Sequence, residues 1–179
     1  MQFYHVDRDC SLEEGQEITL KPISEASILR KDVAHELYPE GVTSHGEKYL
    51  SPPENDEDQQ SYWIEAWCEV IRLLEFPEKT SRFQSVFGCE TPDAAEAFAR
   101  EFSSDQDEAI IWKVEADNTR TVEMGYNQLG AGVELLSNIH YQRKYWEGEQ
   151  PPEMTQGLTE ILAEPPIRVL GEERRISLV

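Results

Sequence analysis

Residues 157–163 read Gly157-Leu158-Thr159-Glu160-Ile161-Leu162-Ala163 and run on into Glu164-Pro165-Pro166-Ile167. In an alternating strand Leu158, Glu160 and Leu162 share one face and Thr159, Ile161 and Ala163 the other, so a carboxylate falls between two leucines. An ionised carboxyl is costly to bury alone. Such positions are paired, shifted in pKa, or set at the wall of a cleft where a ligand supplies the partner. Glu160 is therefore the first candidate functional residue. The competing reading is an edge-strand acid pointing to solvent while its leucines pack on a helix. Glu164 competes for the same role, but its place directly before Pro165-Pro166 reads as a strand end.

Working outward, Phe3-Tyr4-His5-Val6 reads as a first strand and Glu17 to Pro22 as an extended segment closed by proline. Ser24 to Leu37 reads as a helix of irregular apolar spacing, followed by loop signals at Pro39-Glu40-Gly41, His45-Gly46 and Ser51 to Asp56. The strongest helical pattern runs from about Asp56 to Glu75, with acids in its first turn and Ile64, Trp67, Cys68, Ile71 and Leu74 as its apolar stripe. Ser81 to Gly88 reads as a strand, and Thr91 to Phe102 as a helix capped by Thr91 with Pro92 at its first position. Ala109 to Glu115 is a further strand, Val133 to Trp146 a helix, and Ile167 to Leu170 a last strand. With no repeat, low-complexity tract or linker, the pattern predicts one α+β domain over residues 1–179.

The 179 residues carry 36 acidic and 16 basic side chains, a formal net charge of −20. A uniformly acidic surface with few lysines suits a salty cytoplasm, so a halophilic source is expected. It also opposes nucleic-acid binding, which draws on Lys and Arg neutralising phosphates, although molar salt screens charge within about 3 Å. The three cysteines, Cys10, Cys68 and Cys89, lack a CxxC and read as reduced thiols. The four histidines are scattered, with no HExxH and no zinc spacing, so no metal is predicted. No apolar run approaches the roughly 20 residues of a membrane span, and the start lacks a signal-peptide pattern, so a soluble cytoplasmic protein is expected.

No contiguous motif carries the chemistry. GxxxxGK[ST], GxGxxG after a strand and GxSxG are all missing, which removes the commonest nucleotide-binding and hydrolase classes. Polar groups in or at the ends of strands remain: His5, Arg82, Ser85 and Glu160.

Phe3-Tyr4-His5-Val6 at the start, Ser81-Arg82-Phe83-Gln84-Ser85-Val86-Phe87 in the middle, and Thr159-Glu160-Ile161-Leu162 before Pro166-Ile167-Arg168-Val169 resemble the ADP-ribosyltransferase superfamily. The layout is similar to a bacterial and archaeal branch related to the DarT-type enzymes. The resemblance implies a split pair of small sheets with flanking helices and NAD, as substrate, in the cleft between the sheets. It implies a His-Tyr-Glu type or related triad drawn from three strands. Glu160 would be the catalytic glutamate, and His5 would hydrogen-bond ribose hydroxyls while neighbouring backbone, beside Tyr4, holds the nicotinamide amide. Phe83 or Phe87, either side of Ser85, would stack on nicotinamide where the family more often has tyrosine. Arg82 would reach a phosphate of NAD. The acceptor, protein or nucleic acid, is not legible.

Structural readings compete at each position. His5 also reads as a core histidine bonded to a backbone carbonyl, Arg82 as an ion-pair partner of Glu69, Glu75 or Glu78, and Phe83 and Phe87 as core. Arg143-Lys144 beside Tyr145-Trp146 reads as a solvated helix face or a nucleic-acid contact. The functional alternative is a non-catalytic acidic module that binds a partner protein, a regulator or inhibitor of viral or halophile origin.

Overall fold

Phe3, His5 and Asp7 alternate with Tyr4 and Val6 along strand β1, Gln2–Asp7, and this alternation sets up the sheet around it. In the computed structural model, which describes residues 1–53, 59–102, 107–123, 126, 134–149 and 159–178, β1 pairs antiparallel with β4, Glu108–Glu115. Phe3 lies opposite Val114 and His5 opposite Trp112. Beyond β4 come β7, Ile167–Ser177, and the two-residue β2, Glu17–Ile18, giving a four-stranded sheet of order β1-β4-β7-β2. A three-stranded sheet has the order β3, Val86–Gly88, then β6, Thr159–Ala163, then β5, Thr119–Glu123. Both sheets are antiparallel and one curls into a half-barrel.

The chain forms two compact units interleaved in sequence: Met1–Thr19, Val86–Thr121 and Leu158–Val179 make the first, Leu20–Ser85 and Val122–Gly157 the second. The first unit is centred on Phe3, Val86, Trp112, Val114, Ile161 and Val169. On the other side of β1 and β4, helix α4, Pro92–Phe102, packs Ala95 and Ala99 against Cys89, Ile111 and Ile176.

The second unit holds α1, Lys31–Leu37, α2, Ser44–Tyr49, α3, Gln59–Glu75, and α5, Leu135–Glu147. Its apolar cluster joins Ile23, Ile28, Tyr38, Val42 and Phe83. Helix α3 departs from the expected stripe. It buries Glu65, Cys68, Glu69, Ile71 and Arg72, while Leu74 is 74 % exposed. The inward charges are matched in place: Arg72 binds Glu69 at 2.7 Å and the Tyr38 hydroxyl donates to Glu69 at 2.9 Å.

The segment expected as one strand from Ser81 to Gly88 is divided. Arg82–Gln84 is a 3₁₀ turn, and only Val86–Gly88 is strand. The Ser81 hydroxyl accepts from the Phe83 N–H at 3.0 Å and the Ser85 hydroxyl donates to the Ser81 carbonyl at 2.8 Å, so both serines close a turn that competes with a ladder. The span 38–56 contains α2, capped by Thr43, and 118–132 contains β5. The parts of expected elements at Asp56 to Asp58, Val133 and Gly157-Leu158 lie outside the described residues.

Candidate functional site

Met1 and Ala116 exchange backbone bonds, which turns the backbone groups of Phe3, His5 and Asp7 toward β4 and those of Tyr4 and Val6 away from it. Tyr4 uses this outer edge. Its N–H donates to Cys89 at 2.9 Å and its carbonyl accepts from Cys89 at 2.8 Å, an isolated bridge between β1 and the end of β3. A continuing ladder would next pair Val6 with Phe87. Instead His5 Nδ1 lies 2.7 Å from the Phe87 carbonyl, so the imidazole occupies the place of the ladder bond and the strands part after one residue pair. A carbonyl only accepts, so Nδ1 carries the proton and Nε2 is the acceptor of the neutral ring. Burial lowers the His5 pKa, against a smaller raising effect of the Phe87 bond and of Asp7. The same alternation turns the backbone N–H and C=O of Val6 away from β4, toward the side on which Tyr4 meets Cys89.

Glu160 lies one strand further on. Phe87 faces Leu162 and Gly88 faces Ile161, which puts Cys89 beside Glu160 in the next row. Glu160 is 5 % exposed in the middle strand of its sheet, and this removes the solvent-edge reading. Burial and then the Glu160 charge push the Cys89 thiol up to about 11, so it stays protonated at neutral pH. Alternation gives Phe87, Cys89, Glu160 and Leu162 one face, while His5 follows Phe3 onto the Trp112 face. A ligand touching both His5 and Glu160 therefore has to enter the gap between β1 and β3.

Gly88 permits the close approach at that bridge. A Cβ there would stand 2.3 Å from the Phe3 ring and 2.7 Å from the Tyr4 carbonyl. The Tyr4 side chain packs against the α4 cluster, so what Tyr4 brings to the gap is backbone. Glu164 directly follows β6, and its carboxylate accepts from the Asn118 amide at 3.1 Å.

Arg82, Phe83 and Ser85 sit in the second unit. Arg82 binds Glu65 through Nε at 2.7 Å and through its terminal nitrogen at 2.8 Å, and it also donates to the Tyr145 hydroxyl. The expected partners are engaged elsewhere, Glu69 by Arg72 and Glu75 by Arg143. Burial alone would raise the Glu65 pKa, but the Arg82 guanidinium and nearby His45 outweigh it and hold the carboxyl well below its usual range. Phe83 is 3 % exposed, edge-on to Tyr38 with centroids 6.0 Å apart. Arg143 and Lys144 are ion-paired to Glu75 and to Glu147 and Glu149. Cys89, expected only as a reduced thiol, is the residue that stands beside Glu160 in this site.

Among the described residues no cluster of His, Cys, Asp and Glu is arranged to hold a metal, and no helix is long and apolar enough to cross a membrane. The fold and site define an α+β protein with two antiparallel sheets and a histidine-filled gap between two strands. The chain belongs to the family described as protein of unknown function (DUF2441), whose pattern matches residues 3–176. That membership carries no link to ADP-ribosyltransferases. No curated protein matches the chain.

Proposed function

We propose that the protein is an NAD-dependent ADP-ribosyltransferase whose nicotinamide site lies at the gap between β1 and β3. The observation that carries this reading is the single Tyr4–Cys89 bridge after which the strands part around His5, with a buried glutamate one strand away. Three kinds of group lie near the point where the strands part. Val6 offers a backbone donor and acceptor for a carboxamide, half-buried Phe87 offers an aromatic face, and Glu160 offers the carboxylate. Of the two candidate phenylalanines, Phe87 fits, because Phe83 is core in the second unit.

Breaking the nicotinamide–ribose bond builds positive charge on the sugar. A fixed carboxylate hydrogen-bonded to the 2′-hydroxyl stabilises that charge more in the transition state than in the ground state. Glu160 takes this role and also accepts the proton of the incoming acceptor. His5, through Nε2, accepts from a ribose hydroxyl. Glu160→Gln keeps shape and hydrogen bonding but loses the charge, so NAD cleavage falls by about 100-fold or more while NAD affinity changes little. Release of nicotinamide from NAD, alone and with cell extract, reads the outcome; a rate near that of the unaltered protein ends the assignment.

A second reading, a partner-binding module without turnover, is favoured by α3, whose outer side exposes Trp63, Val70, Leu73 and Leu74. It predicts a thermal shift with NAD, or none, and no nicotinamide release.

A further inference from the structure

Arg120 lies on β5, and the register of β5 against β6 follows from one bond and two lengths. Glu164 donates its N–H to the Asn118 carbonyl at 3.1 Å, and the adjoining strands Thr119–Glu123 and Thr159–Ala163 have five residues each. Antiparallel pairing then sets Thr119 opposite Ala163 and Arg120 opposite Leu162. Leu162 in turn faces Phe87. Phe87, Leu162 and Arg120 thus form one row across the sheet, on the face that carries Glu160. Two strand spacings separate Phe87 from Arg120, about 10 Å between backbones, and Glu160 is the diagonal neighbour at about 7 Å.

The Arg120 side chain is exposed and makes no hydrogen bond or ion pair among the described residues. In this chain that stands out. Arg72, Arg82, Arg100, Arg143, Arg174 and Arg175 each hold a carboxylate. An arginine with no carboxylate on it among the described residues has its guanidinium fork placed to take an external anion.

We propose that Arg120 is the anion-binding side chain of the Phe87–Glu160 face and takes a phosphate of a nucleotide ligand. The sequence reading gave the phosphate contact to Arg82, whose guanidinium is held by Glu65 and Tyr145 in the second unit. Arg120 is the only side chain in the Phe87 row that brings positive charge to the face. The net charge of −20 opposes a polyanion, which favours a small nucleotide over nucleic acid as the source of the phosphate. Assigning that phosphate to NAD rests on the proposed function; the contact itself does not.

Calorimetry with NAD, ADP-ribose and nicotinamide on the full chain, as Arg120→Ala and Arg120→Lys beside the unaltered protein, tests the assignment. The expected result is a Kd for NAD and ADP-ribose raised about tenfold or more by Arg120→Ala and partly restored by Arg120→Lys. Nicotinamide binding and the unfolding midpoint stay unchanged, and KM for NAD rises with little change in kcat. Equal ADP-ribose affinity in Arg120→Ala and the unaltered protein overturns the proposal, as does the lack of any ADP-ribose binding, or an Arg120→Ala defect confined to a single-stranded oligonucleotide. If ADP-ribose binds through Arg120 while NAD is never cleaved, the contact stands and the transferase reading fails.

Discussion

The Nδ1–H of His5 is committed to the Phe87 carbonyl, and burial disfavours adding a second proton at Nε2. The folded-state pKa is therefore below that of the unfolded chain, so as pH falls the unfolded chain takes up the proton first. Stability from this residue is complete above about pH 6.5 and is lost as pH drops below that value toward the folded pKa. Urea unfolding at pH 7.5 and pH 5 measures it: His5→Asn, which keeps an N–H donor but does not titrate, should narrow the difference between the two midpoints. An unchanged difference would mean that the ring is not held neutral. Glu65 has the same sign: its folded pKa is also lowered, so its contribution too is lost as pH falls. Its carboxyl is held ionised chiefly by Arg82, so truncating the arginine leaves a buried charge with only His45 beside it. Arg82→Met should cost about 3–5 kcal/mol in urea unfolding. Thermal denaturation with little loss would place the pair in solvent.

At the scale of elements, β1, α4, β4 and β6 were legible because each carries a plain period or cap. Phe3 and Val6 mark β1, Thr91-Pro92 starts α4, and Ile161 and Ala163 alternate with Glu160 and Leu162. The errors have physical causes. Ser81 and Ser85 turned an apparent strand into a 3₁₀ turn by bonding local backbone, a competition that apolar spacing does not register. Cys68 and Ile71 of the expected stripe of α3 do face inward, but Glu65, Glu69 and Arg72 are buried beside them because Arg82, Tyr38 and the Glu69–Arg72 pair satisfy their charges, and Leu74 is left outside. His5 and Glu160 were legible as out of place, but their opposite faces followed only from the register of three strands. Helix α2 was hidden by Gly46, which read as a loop signal. The glycine is required by packing, since a Cβ there would stand 2.3 Å from the Phe83 carbonyl. Gly46→Ala should therefore destabilise by about 1–3 kcal/mol despite its better helix propensity. A stability gain in chemical denaturation would contradict that close approach.

Across the whole molecule, the charge of −20 resists compaction at low ionic strength, where like charges are unscreened. The unfolding temperature should rise between 0.05 and 1 M KCl by about 5 °C or more, a screening effect on the order of 1 kcal/mol or more. A flat response would remove the high-salt reading of the composition. The same charge disfavours nucleic acid as a ligand of the proposed site. Nicotinamide release from NAD by the full chain and by Glu160→Gln joins these observations to chemistry. The unaltered protein should release nicotinamide, and the variant should bind NAD with similar affinity yet release it about 100-fold more slowly or less. Release at equal rates by both, or by neither, would contradict Glu160 as the carboxylate that stabilises the ribosyl cation.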